Sequence, residues 1–215
     1  MDGILDLLNS DLGKTIISGV SGSTGTDQNK TGSVLTMALP VLMKAMERNA
    51  STPEGAQGLM GALSSKHDGS ILDNLSGLFG GGVDEAVTTD GDKILGHVLG
   101  NRRQGVEQVI GQKSGLDSGS VANILKIAAP ILMGMLGKQS RQNNVSSQND
   151  LTGLLGGLLG GASQSGPVTR EQTFLEQVLD SDGDGSVIDD VAGMVLGGSK
   201  KKGGLGGLLG GLFGK

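Results

Sequence analysis

The run Asp180-Ser181-Asp182-Gly183-Asp184-Gly185-Ser186-Val187-Ile188-Asp189-Asp190 is the most chemically specific stretch of the chain. A calcium ion takes about six to eight hard oxygen ligands, and carboxylates at the first, third and fifth places of a loop curl around one point. Glycine at the sixth place permits the sharp turn, and the carbonyl at the seventh adds a ligand. Asp180, Asp182, Asp184, Gly185 and Ser186 fill those places, and Val187 anchors the loop. The end departs from the pattern. Val191 stands where a bidentate Glu belongs, and Ile188 cannot bind through water, so the closing acid must come early, from Asp190 or, second, Asp189. The expectation is one Ca²⁺ held by Asp180, Asp182, Asp184, Ser186, Asp189 and Asp190. A solvated acidic turn before a helix at residues 188–196 is the plainer alternative, since carboxylates favour a helix N-terminus. Clustered acids without a counter-ion repel one another, which favours calcium. One loop without a partner loop suits a metal that stabilises a hairpin better than a sensor.

Other chemistry is sparse. The chain has no Cys, which excludes disulfides, thiol catalysis and Cys-type zinc sites. His67 and His97 are its two histidines, and neither has a Ser or an acid at a recognisable catalytic spacing. His97 falls at the place equivalent to Leu7 and reads as ordinary packing. Arg102-Arg103 and Lys200–Lys202 read as solvated basic faces. No GxxxxGK[ST] phosphate loop is present. A net charge of −5, a pI near 5.0 and only three aromatic residues, all Phe, argue against a nucleic-acid partner. We therefore expect no enzyme, no small-molecule substrate and no cofactor besides calcium.

The elements that position this loop are organised around residues 34–46, VLTMALPVLMKAM, and residues 124–136, ILKIAAPILMGML. Both are apolar on nearly every side, so both must be buried helices. Residues 1–46 align with 91–136 without a gap. Gly25/Gly115, Asp27/Asp117 and Pro40/Pro130 are identical pairs at one offset, and hydrophobicity alone does not demand them. We read an internal duplication, three helices to each copy: residues 3–8, 12–20 and a central helix with Ser33 near its start; then 92–99, 102–113 and a central helix from about Ser118. Each proline should kink its central helix or split it into two pieces. Val41 and Ile131 should be buried in like surroundings. A cleft with converging polar groups between the halves would overturn the non-enzyme reading.

After the first central helix, Ser51 and Glu54 have capping-box spacing, opening a helix to about residue 63. A helix over 71–79 then ends in Gly80-Gly81-Gly82. In the second copy, residues 138–149 read as a polar linker and 151–159 as a helix. Residues 162–168 form a linker, and residues 171–179 read as a helix with Phe174, Leu175, Val178 and Leu179 on one face. The organisation is thus 1–90, first helical repeat; 91–162, second helical repeat; 163–199, EF-hand-like helix-loop-helix; 200–215, Gly/Leu-rich tail. The fold class is all-α, a duplicated helical bundle with proline-kinked central helices plus that C-terminal unit.

The pattern ILGHVLGN…VEQVIGQKSGLDSGSVANILKIAAPILMGMLGK, followed by Leu/Gly repeats, resembles the YidB-like bacterial family of unknown function, most clearly over residues 92–161. The resemblance implies a bacterial, all-helical protein and carries over no activity. With 41 glycines in 215 residues, many in Leu/Gly blocks of small-xxx-small spacing, close helix contact or self-association is expected. A flexible tail is the alternative, and membrane contact through residues 200–215 ranks behind both. The N-terminus lacks a basic n-region, and the longest nearly apolar run, about fourteen residues, is shorter than the ~20 a spanning helix needs. The expected location is the cytoplasm, and the expected partner a protein or a second copy.

Overall fold

The structure is a computed structural model that describes residues 4–160. In chain order it contains α1 (Ile4–Asn9), α2 (Asp11–Thr24), α3 (Gln28–Ala50), α4 (Pro53–Ser65), α5 (Ser70–Asp73), α6 (Leu75–Gly80), α7 (Glu85–Leu99), a 3-10 turn (Gly100–Arg102), α8 (Arg103–Ser114), α9 (Ser118–Gln142) and α10 (Gln148–Gly160). Among the described residues there is no strand, and the protein is all-α.

The two central helices are started by the same local chemistry. α2 and α8 end on Gly25 and Gly115, with φ of 67° and 69°, a left-handed conformation that L side chains resist and glycine adopts freely. Two residues later an aspartate caps the next helix. Asp27 Oδ1 accepts from the N–H groups of Asn29 and Lys30 at 3.0 Å each, and Asp117 Oδ1 accepts from the Ser120 N–H at 2.9 Å. These carboxylates satisfy amides that the first helical turn leaves without partners. The helices they open, α3 and α9, pack against each other in one shared core of Leu, Ile, Val, Met and Ala. Val41 is 0% and Ile131 1% exposed.

α3 and α9 each continue unbroken across Pro40 and Pro130 rather than splitting into two pieces. Pro130 offers no N–H to the Lys126 carbonyl one turn back. α7 crosses α9 at that level: a Cβ on Gly91 would lie 1.8 Å from the Lys126 carbonyl oxygen. Only a glycine allows two backbones this close. Asp92 then pairs with Lys126 at 3.3 Å and with Arg103 at 2.9 Å, tying α7 to α9 and α8. α9 is long and apolar enough to cross a membrane, but 72% of its most apolar stretch is buried inside the fold. Its apolarity thus serves the core.

Several boundaries differ from the sequence reading, each for a visible reason. α3 starts at Gln28, not near Ser33, because Asp27 is the cap. α2 runs over Asp11–Thr24, longer than 12–20. α7 begins at Glu85, capped by the Asp84 side chain, so it runs through position 90, where one repeat was expected to give way to the next. The cap of α4 is Thr52, whose Oγ1 accepts from the Gly55 N–H at 3.2 Å; Ser51 instead donates back to the Arg48 carbonyl at 2.6 Å, because α3 extends to Ala50. The helix expected over 71–79 is two short ones broken at Asn74, whose side chain caps the second. α9 extends to Gln142, into the expected linker, and α10 starts at Gln148 rather than 151. Gln148 Nε2 donates to the carbonyls of Ala50 and Ser51 at 3.0 and 2.9 Å, which fixes that start at the C-terminal end of α3.

Candidate functional site

Converging polar side chains occur where the turn between α4 and α5 meets α7 and α9. α4 ends at Ser65, and the chain turns through Lys66, His67, Asp68 and Gly69. Gly69, at φ 100°, makes the turn possible. The turn sits down on two glycines of α9, one helical turn apart. A Cβ on Gly137 would lie 1.8 Å from the His67 carbonyl oxygen, and one on Gly134 would lie 2.4 Å from the Ile71 side chain. Arg141 holds the turn from its far side, donating to the Asp68 carbonyl and facing the Asp68 carboxylate at 3.4 Å.

This packing brings His67, from the first half of the chain, to Asp90 on α7. His67 Nε2 lies 3.5 Å from Asp90 Oδ2, and Lys66 Nζ pairs with Asp90 Oδ1. His67 is 7% exposed, one of two buried polar residues among those described; the other, Thr31, belongs to the α3 cap. Burial pushes the His67 imidazole below its ordinary pKa of 6.5; Asp90 pulls it upward and Lys66 pushes it further down, and burial prevails. The ring is therefore neutral at neutral pH. Asp68 is held below the usual carboxylate range by the Ser70 N–H and hydroxyl, then by Arg141.

Ser70, Ile71, Ala86, Val87 and Pro130 complete a cleft of about 260 Å³ around these groups. A neutral imidazole beside a carboxylate is the beginning of a general base. Three features weigh against catalysis. The 3.5 Å separation is longer than a hydrogen bond that would orient the ring. The second carboxylate oxygen is taken by Lys66. The volume falls short of the ~300–1,000 Å³ of small-molecule pockets. The arrangement acts as a clasp that fastens the α4–α5 turn to α7 and α9.

Sequence reading missed this cluster because Lys66 and Asp90 are far apart in sequence; the acid beside His67 arrives through tertiary packing alone. The one local signal was Gly134 and Gly137 sharing a face of an otherwise bulky helix. His97, expected to pack, is exposed, with Nδ1 2.8 Å from the Lys93 carbonyl. Among the described residues no group of three or more His, Asp or Glu is placed to hold a metal. The calcium-loop residues Asp180, Asp182, Asp184, Ser186, Asp189 and Asp190 lie outside the described residues, as do the 171–179 helix and the Gly/Leu-rich tail.

The family model for bacterial proteins of unknown function, DUF937, matches residues 6–139, more than half of the chain. The chain belongs to the DUF937 family. The match runs from α1 to near the end of α9, so the DUF937 region contains both central helices and the His67–Asp90 clasp. No curated protein matches the chain, and no solved structure does.

Proposed function

We propose that this DUF937 protein, YidB-like in kind, is a non-enzymatic bacterial protein that acts through protein–protein interaction or self-assembly. One calcium ion bound by Asp180, Asp182, Asp184, Ser186, Asp189 and Asp190 stabilises its C-terminal hairpin. A cytoplasmic site of action goes with this reading, and envelope association through residues 200–215 is the alternative to it.

The observation that supports the non-enzymatic reading best is the fate of the polar groups in the cleft. Lys66 and His67 both face Asp90, and Arg141 faces Asp68, so these groups partner one another rather than a substrate. An active site needs such groups directed at the space a substrate would fill.

Calorimetric titration of the full chain with calcium tests the metal. Binding by the wild type and its loss in Asp182→Ala is the expected result; no heat from the wild type at millimolar calcium defeats it. Sedimentation velocity in calcium and in chelator tests assembly, with a concentration-dependent oligomer expected. Liposome flotation that depends on residues 200–215 would favour the membrane alternative. Turnover in a hydrolase panel that disappears in His67→Gln would end the non-enzymatic reading.

A further inference from the structure

An open groove of about 700 Å³ runs along the N-terminal half of α3, between α2 and the end of α8. Ile17, Gly32, Thr36 and Met37 form its floor, and the charged residues that line it are Lys14 and Lys113. Lys14 faces Asp11 at 3.5 Å, but both side chains are largely exposed, and such pairs hold little energy. At the 90-residue offset, Thr36 and Met37 correspond to Lys126 and Ile127. That face of α9 is covered: α7 crosses it at Gly91, and Ile127 is 4% exposed. α7 has 15 residues, whereas α1, its counterpart, has 6. The same strip on α3 has no such cover: Thr36 is exposed and Met37 only partly buried.

We propose that residues 171–179 of the same chain dock in this groove, taking on α3 the place that α7 takes on α9. The segment offers Phe174, Leu175, Val178 and Leu179 at helical spacing for the floor, and Glu171 and Glu176 for the lysines. Its length as a helix, about 14 Å, matches the floor from Gln28 to Met37, also about 14 Å. The connection reaches. α10 packs on α3 and ends at Gly160, and residues 161–170 span up to about 33 Å when extended, close to the whole length of α3. Docking would place the acidic loop that follows Leu179 beside the cationic side of the groove.

The absence of Cys makes the test clean. A spin label on Gln177→Cys in the full chain should broaden the amide signals of Gly32, Ser33 and Thr36. The double variant Lys14→Glu/Lys113→Glu, at exposed positions, should abolish that broadening, and adding Glu171→Lys/Glu176→Lys should restore it. Signals left sharp in the parent protein overturn the proposal, and so does broadening that survives the charge reversal. Mixing spin-labelled chains with isotope-labelled, label-free chains separates the source: broadening of the label-free chains in that mixture means a second copy fills the groove, which overturns docking within one chain while supporting self-assembly.

Discussion

Replacing Gly91 with alanine tests the close approach of α7 to α9. The new Cβ would lie 1.8 Å from the Lys126 carbonyl oxygen, with the Lys126 carbon at 2.6 Å and Cα at 2.9 Å behind it. These are backbone atoms of a central helix, so no side-chain rotation relieves the clash, and the two helices must move apart by more than an ångström. Overpacking of this kind costs about 3 kcal/mol at the upper end of its usual range. Alanine in a helix interior returns about 1 kcal/mol relative to glycine. The net loss is about 2 kcal/mol, which for a chain of this size lowers Tm by about 4–8 °C. Gly96, exposed on the same helix with nothing within 4 Å of its Cβ, is the internal control. Gly96→Ala gains the same propensity without the clash and should raise stability by up to about 1 kcal/mol. Urea unfolding of both variants, followed by far-UV circular dichroism, gives the two numbers. A Gly91→Ala protein as stable as wild type would refute the packing argument, and loss in both variants would point to a helix-wide effect instead.

The clasp predicts a pH dependence. Because the folded pKa of His67 is lowered below its unfolded 6.5, its contribution is fully present above 6.5 and is lost as pH falls from there through the folded value. Denaturation midpoints between pH 7.5 and 5.5 should fall with pH in the wild type and lose that slope in His67→Gln; parallel curves would show that the ring does not titrate with folding. At the start of α4, Thr52→Ala should cost about 1 kcal/mol by urea unfolding, and Ser51→Ala distinctly less, because the Thr52 hydroxyl is the cap. In the core, Ile131→Ala should cost about 2–5 kcal/mol, since Ile131 is 1% exposed on the helix that carries most of the packing. A loss under 1 kcal/mol would place that side chain at a margin.

The all-α class and the two buried central helices could be read from sequence because each depends on a local rule, and Gly25/Gly115 and Asp27/Asp117 stood out there as repeated pairs. An apolar run that covers every side of a helix must be buried wherever the fold puts it. Gly25 and Gly115 end helices through their own φ, and Asp27 and Asp117 start the next ones through amides two or three residues away. Reading failed where two local signals competed. Ser51 and Thr52 are both capable caps, and only the length of α3 decides between them. At Pro40 and Pro130 the expected outcomes were a kink or a split, and the continuity of α3 and α9 rules out the split.

The sequence by itself determined which segments must be hidden, since that follows from side-chain solubility. The tertiary structure alone decided that His67 would meet Asp90, that Gly91 would lie against the Lys126 carbonyl, and that one strip of α3 would stay open while its match on α9 is covered. Those outcomes depend on how helices distant in sequence cross, and the crossing is fixed by the small residues that let backbones approach.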